Sequence, residues 1–302
     1  MWNPIKYSHL EWFQRDNHCI PKGPSFKWAP WKTMPLAGSR LRLKVPRHCP
    51  THSTVKQFDL PFGKDPADRP MGSYSEMAMA NDHWGYWRVL YRYYAFWGPW
   101  MSGCKAELGF GMSVVGRRKG SEYPNTSFFH PRAFESVLTE YLNDRYGHQR
   151  WGSTKNDPRP RHAGPFDWRL HYHLPVFGAS CKIYDTGMDG KTLEGNPERL
   201  FFFPISDRHF VRVRFKRDLY ARDNKGKPTY DASPVRDLQE AIFNSISLEL
   251  GPEAQASYDR IKAQCPDMRL TETFAPLNWP TEATTPGEVY EPEQASHKAL
   301  GF

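Results

Sequence analysis

The sequence predicts an α+β protein: a mainly antiparallel twisted sheet, two or three helices packed on it, and a Pro/Trp-rich N-terminal arm. Three observations carry that expectation. The 302 residues include 27 Pro and 11 Trp, more proline than a helical bundle tolerates, because each one fixes φ and removes a backbone donor. A composition that is 39% hydrophobic and 15% aromatic is ample for a core at this length. Several segments alternate apolar and polar residues at period two, whereas only a few repeat at helical spacing.

Residues 1–70 come first. They are rich in Pro, Trp and basic residues, as in KGPSFKWAPWKTMPLAG, with no sustained helical or strand period. An ordered, extended arm is expected, its Trp2, Trp12, Trp28 and Trp31 burying their rings against a folded body. A core domain over 71–277 follows, and residues 278–302, rich in Pro, Thr, Glu and Ala, read as a loosely ordered tail.

Within the core, Trp87, Val89, Tyr91 and Tyr93 alternate with Arg88, Leu90, Arg92 and Tyr94, which suits a strand. ELGFGMSVVG suits a second one, its glycines marking bends or close backbone approach. From Pro131 to Tyr146 the period becomes helical through Phe134, Val137, Leu138, Tyr141 and Leu142, with Pro131 in the first turn and Gly147 at the end. Strands resume in DWRLHYHLPVFGASCKIYD, and Asp189-Gly190 favours a hairpin turn. LFFF and HFVRVRFKR give two more. A second helix starts at Ser233-Pro234 and runs along Val235, Leu238, Ala241, Ile242 and Ile246 to Gly251-Pro252; a third covers about 252–264.

HFVRVRFKR carries the functional question. Val211, Val213 and Phe215 share one parity, and Arg212, Arg214 and Lys216 share the other, so a strand buries the first set and turns the cations outward. The net charge of +8 is unevenly placed: residues 1–150 hold 21 Lys+Arg against 12 Asp+Glu, and residues 231–302 hold 5 against 12. Such a field favours an acidic partner or serves solubility alone.

Chemical motifs are weak. His171-x-His173, with His162 upstream, has the residue types of a zinc site, but no Glu stands at a diagnostic spacing and an ordinary strand with polar histidines explains the pattern. Asp185, Asp189 and Glu194 surround a glycine-containing loop without following a calcium-loop pattern, and turn chemistry explains both aspartates. Ser113 lacks the flanking glycines of a nucleophile elbow. Neither a phosphate-cradling glycine loop nor an RNP-type string occurs. Five widely spaced cysteines argue against a disulfide scaffold and a zinc ribbon. No secretory leader or transmembrane run is legible, so the expected compartment is cytoplasmic, or periplasmic if a leader precedes this sequence.

Three blocks, YSHLEWFQRDN, NTSFFHPRAFESVLTEYL and ERLFFFPISDRHFVRVRF, resemble proteobacterial type VI secretion-associated immunity proteins, neighbours of phospholipase-type effectors. The resemblance implies a non-enzymatic inhibitor that binds its cognate effector and occludes the active site; it implies no catalytic positions. No cofactor, metal or catalytic residue is expected. The partner is an acidic effector protein, with Arg208, Arg212, Arg214 and Lys216 steering and pairing, and exposed members of the Trp84, Trp87, Trp97 and Trp100 cluster as anchors. A nucleic-acid-binding module using a basic aromatic sheet face, or an unrecognised hydrolase, is the alternative.

Overall fold

A computed structural model describes residues 11, 19–52, 54–61, 63–73, 79–99, 102–152, 157–223 and 226–272. Trp2, Trp12, Trp100 and the expected tail lie outside these residues. The α+β class holds: eleven strands in two antiparallel sheets and three α-helices are formed by the described chain.

The large sheet contains β3 (Phe58–Asp59), β5 (Trp84–Trp97), β6 (Cys104–Arg117), β10 (His209–Leu219), β9 (Leu193–Pro204), β8 (Gly178–Thr186) and β7 (His162–His171) in that spatial order, and β4 (Gly72–Ser73) also pairs with β5. The small sheet runs β1 (Trp31–Leu36), β2 (Ser39–Lys44), β11 (Ser247–Glu249). The helices are α1 (Pro131–Leu142), α2 (Ser233–Asn244) and α3 (Pro252–Gln264).

β10 lies at the middle of the large sheet, and both of its faces are covered. On one side Val211, Val213 and Phe215 join a core with Leu36, Leu41 and Leu43 of the small sheet, Val235 and Ile242 of α2, and Ile261 of α3. Each such side chain contributes about 1.5–3 kcal/mol by leaving water. On the other side Phe210 packs with Phe202 and Val115 beneath Phe134, Leu138 and Tyr141 of α1. The molecule therefore has three layers: small sheet with α2 and α3, large sheet, α1.

Four sequence expectations are corrected. The irregular arm instead contains the β1–β2 hairpin, closed by Ala37 and Gly38, both with positive φ. Asp65 accepts hydrogen bonds from both of their amides, at 2.9 and 2.8 Å. Neither of the arm's described tryptophans is buried: Trp28 is 80% exposed and Trp31 50%. The second helix stops at Asn244, where the hydroxyl of Ser245 donates to the carbonyl of Ile242 and its oxygen accepts from the amide of Lys44. Leu248 then pairs opposite Leu41 instead of continuing the helix.

The fourth correction concerns β5. A bulge between Arg88 and Leu90 shifts its register against β6, so an extra residue interrupts the alternation and reverses it. Tyr91 and Tyr93 consequently face the α1 side, and Arg92 turns to the opposite side. There its buried guanidinium donates to Asp59 at 2.7 and 2.8 Å. The first helix also changes character near its end, continuing past Leu142 as a π-helical turn over Asn143–Gly147. No helix among the described residues is long and apolar enough to cross a membrane.

Candidate functional site

The cations of β10 do not form a bare basic face. Arg212, Arg214 and Lys216 share the side of the sheet that α1 covers, and all three are half-buried. Arg212 donates to the hydroxyl of Tyr141 on α1 at 2.9 Å. Arg214 is paired with Glu198 of β9, and Lys216 meets Asp185 of β8 at 2.8 Å. Charge buried to this degree needs an opposite charge beside it. Burial alone pushes the Asp185 carboxyl up, but His162 and Lys216 overcome it and hold that group well below the usual carboxylate range. The steering role expected for Arg212, Arg214 and Lys216 is replaced by an internal charge network. Arg208, in the turn before β10, is exposed.

The expected tryptophan anchors separate in the same way. Trp84 is fully buried, its indole donating to Asp144 at 2.8 Å and its ring lying edge-on to Tyr141. It cannot anchor a partner. Trp87 is half-buried against His209 and donates to the carbonyl of Arg69. Trp97 is 47% exposed, with its backbone bridged to Lys22. Trp100 is outside the described residues.

Exposed aromatic and cationic residues meet on the small sheet. Its inner face carries Met34, Leu36, Leu41, Leu43 and Leu248 into the core. Its outer face aligns Trp31, Thr33 and Pro35 with Lys44, Arg42 and Arg40, because these are register partners across β1 and β2. The Arg42 guanidinium lies 4.2 Å from the centre of the Trp31 ring. Lys44 donates to the carbonyl of Lys27 at 2.8 Å and lies over Phe26, and Lys27 lies 5.4 Å from the Trp28 ring. Glu249 of β11 intrudes on this row, 3.4 Å from Arg40. The signal was present in the residues 39–44, SRLRLK, which alternate as HFVRVRFKR does.

Other chemistry is dispersed. His171 contacts Ser180 at 2.8 Å and packs with His173 against Phe201 and Phe243, whereas His162 pairs with Asp185. No three His, Cys, Asp or Glu side chains converge on a common metal position among the described residues. Asp189 caps its own turn by accepting from the amides of Lys191 and Thr192. Ser206 lies 3.0 Å from His209, but its oxygen also accepts the amides of Arg208 and His209, the signature of a turn-forming serine. Ser113 is buried on β6.

Fold and site together define an α+β protein whose described residues include an internal charge network around β10 and an exposed aromatic-cationic face on the small sheet. The chain matches no family model, curated protein or solved structure.

Proposed function

We propose that this protein is a non-enzymatic inhibitor that binds an acidic effector enzyme, of the phospholipase class by the resemblance of its sequence blocks, and occludes its active site. The observation that supports this reading is the half-exposed Trp31 with Arg42 held over its ring on a sheet face shared with Arg40 and Lys44. Trp and Arg are the residue types that dominate interface energetics. A ring and a guanidinium already fixed against each other on a rigid strand pair lose little freedom on binding. A durable complex buries ~1,200–2,000 Å² in total, more than one strand supplies, so Trp28 and Lys27 beside the sheet belong to the same surface.

A protein partner is favoured over nucleic acid by the composition of the face. Glu249 breaks the cationic row beside Arg40, a mixed pattern that a protein surface carrying both signs can match and a uniformly anionic phosphate chain cannot, and the Trp31 ring has Arg42 over it where a base would stack. The test is capture of the partner from native cells, followed by titration of its enzymatic activity with this protein. Wild-type protein should block activity stoichiometrically. Trp31→Ala combined with Arg42→Glu should weaken binding roughly 100-fold, about 2.7 kcal/mol, and flatten its dependence on salt. Unchanged affinity in that double variant, or salt-sensitive retention on a generic oligonucleotide without any enzyme inhibition, would overturn the proposal.

A further inference from the structure

The small sheet ends in two edge strands, β1 and β11, and β1 has the longer open side. An edge strand presents unpaired amides and carbonyls, which proteins blunt with bulges, proline or short length. The other edges among the described residues are blunted in this way. β7 carries two register shifts and a positive φ at Asp167, β3 and β4 are two residues long, and β11 is three. β1 pairs with β2 over six residues without a register shift.

Which backbone groups of β1 face outward follows from its hairpin. The two-residue loop Ala37-Gly38 makes Leu36 and Ser39 a hydrogen-bonded pair, and bonded and non-bonded pairs then alternate along the ladder. Met34 and Lys32 therefore bond to β2. Farther on, the Pro30 carbonyl accepts from the Val45 amide at 3.2 Å, in step with that alternation. Trp31, Thr33 and Pro35 turn their backbone groups to the free edge. Pro35 has no amide to offer and is half-buried near the hairpin tip that Asp65 caps. Trp31 and Thr33 are exposed, and nothing among the described residues bonds to their amides or carbonyls. This stretch offers donors and acceptors at the spacing of a strand.

The charge around it is mostly positive. Arg42, register partner of Thr33, lies over the Trp31 ring, and Lys44, Lys27 and Lys32 stand nearby. The described carboxylates of this region are engaged: Asp59 by Arg92 and Lys32, Asp65 by the amides of Ala37, Gly38 and Ala67, and Glu249 by Arg40 on the far side of β2. A strand added beside β1, about 4.8 Å away, puts every second side chain on the outer face next to Trp31 and Thr33. Carboxylates at those positions meet the Arg42 guanidinium, which the Trp31 ring already holds in place. A second copy of this chain would instead bring its own Arg42 and Lys44 there, like charge against like.

We propose that β1 is the docking edge for an extended acidic segment of a partner protein, whose main chain pairs with Trp31 and Thr33 and whose alternate carboxylates face Arg42. This rests on the small sheet being the partner surface, and it names the form in which the partner arrives. Main-chain bonds supply affinity, and the alternate side chains supply selectivity.

Two measurements on the full-length protein test it. In amide hydrogen exchange of the free protein, Thr33 should exchange fast while Lys32 and Met34 are protected; a protected Thr33 amide would overturn the proposal. The second is titration with a short synthetic peptide alternating glutamate and valine. It should bind and slow exchange at Thr33, and it should weaken about tenfold or more when the peptide amides facing β1 are N-methylated or when lysine replaces glutamate. Thr33→Pro removes an amide that makes no bond to β2, a change an outward edge tolerates. It should weaken peptide binding by a similar factor with unchanged far-ultraviolet circular dichroism. Absence of binding at millimolar peptide, equal binding of the lysine peptide, or indifference to both N-methylation and Thr33→Pro would overturn the proposal. So would a concentration-dependent dimer abolished by Thr33→Pro, which assigns the edge to a second copy. With the captured effector, inhibition undiminished in Thr33→Pro overturns strand addition alone. Peptide binding with no enzyme inhibited supports the edge and removes the inhibitor reading.

Discussion

Gly251 occupies a position where a side chain has no room. A Cβ there would stand 2.0 Å from the carbonyl oxygen of Gly38 and 2.7 Å from its carbon, and both are backbone atoms at the tip of the β1–β2 hairpin. The Gly251 amide also donates to the Ser39 hydroxyl at 3.2 Å, tying the start of α3 to that hairpin. Gly251→Ala should therefore destabilise the fold by about 1–3 kcal/mol, visible as a lower urea midpoint with unchanged slope. Gly63→Ala makes a useful comparison: its φ is positive but nothing lies within 4 Å of the added carbon, so only the strain of about 1 kcal/mol is expected. The sequence marks Gly251-Pro252 as a stop between helices, yet what it stops against is a carbonyl more than two hundred residues away, which no local pattern reveals.

At the scale of one element, β10 shows how far period-two reading reaches. Its sidedness was legible: Val211, Val213 and Phe215 are all buried on one face. The environment of the other face was not, because it depends on where α1, β8 and β9 lie. Arg214→Ala would take the guanidinium from Glu198, leaving it the Tyr146 hydroxyl and the Lys216 charge, and should cost roughly 1–3 kcal/mol in chemical denaturation. Arg208→Ala, only a turn away but exposed, should fall within about 0.5 kcal/mol. Equal effects from the two substitutions would show that the pair with Glu198 does not stabilise the fold. On β5 the alternation was legible, but the bulge was not, since Val89 and Leu90 are both apolar and both buried. The helical spacing through Ile246 was likewise genuine but insufficient. Leu248 finds its apolar partner on β2, and Ser245 bonds to Lys44.

For the whole molecule, the layered packing makes stability depend on pH in a definite window. Burial lowers His171 and His209 to about 4, reinforced by Arg199 and His173 beside the first and Arg208 beside the second, while Asp65 opposes the shift of His209. Unfolded histidine titrates near 6.5. Between those values the unfolded chain binds protons that the folded chain excludes, so stability falls as the pH drops from about 6.5 to about 4. Below that window the loss continues as Asp185, held under the usual carboxylate range by His162 and Lys216, is forced to take up a proton. Denaturation midpoints measured from pH 7.5 to 4 should show this slope. It should flatten in His171→Gln with His209→Gln, whose unchanged slope would assign the acid sensitivity elsewhere.

Two strands carry the same alternation of apolar and basic residues, SRLRLK in β2 and HFVRVRFKR in β10. By itself the sequence determined the class of fold, the sidedness of β10, and the ends of α3 at Pro252 and Gln264, since these follow from local period, turn chemistry and proline. Only the tertiary structure decided which cationic face meets solvent. The small sheet has its apolar side against the large one and keeps Arg40, Arg42 and Trp31 outward. On β10, at the middle of the large sheet, Arg212 lies beneath α1 and bonds to Tyr141, and Arg214 sits beside Glu198. A two-residue period separates the faces of a strand, but what packs on each face is set by contacts between segments far apart in the chain.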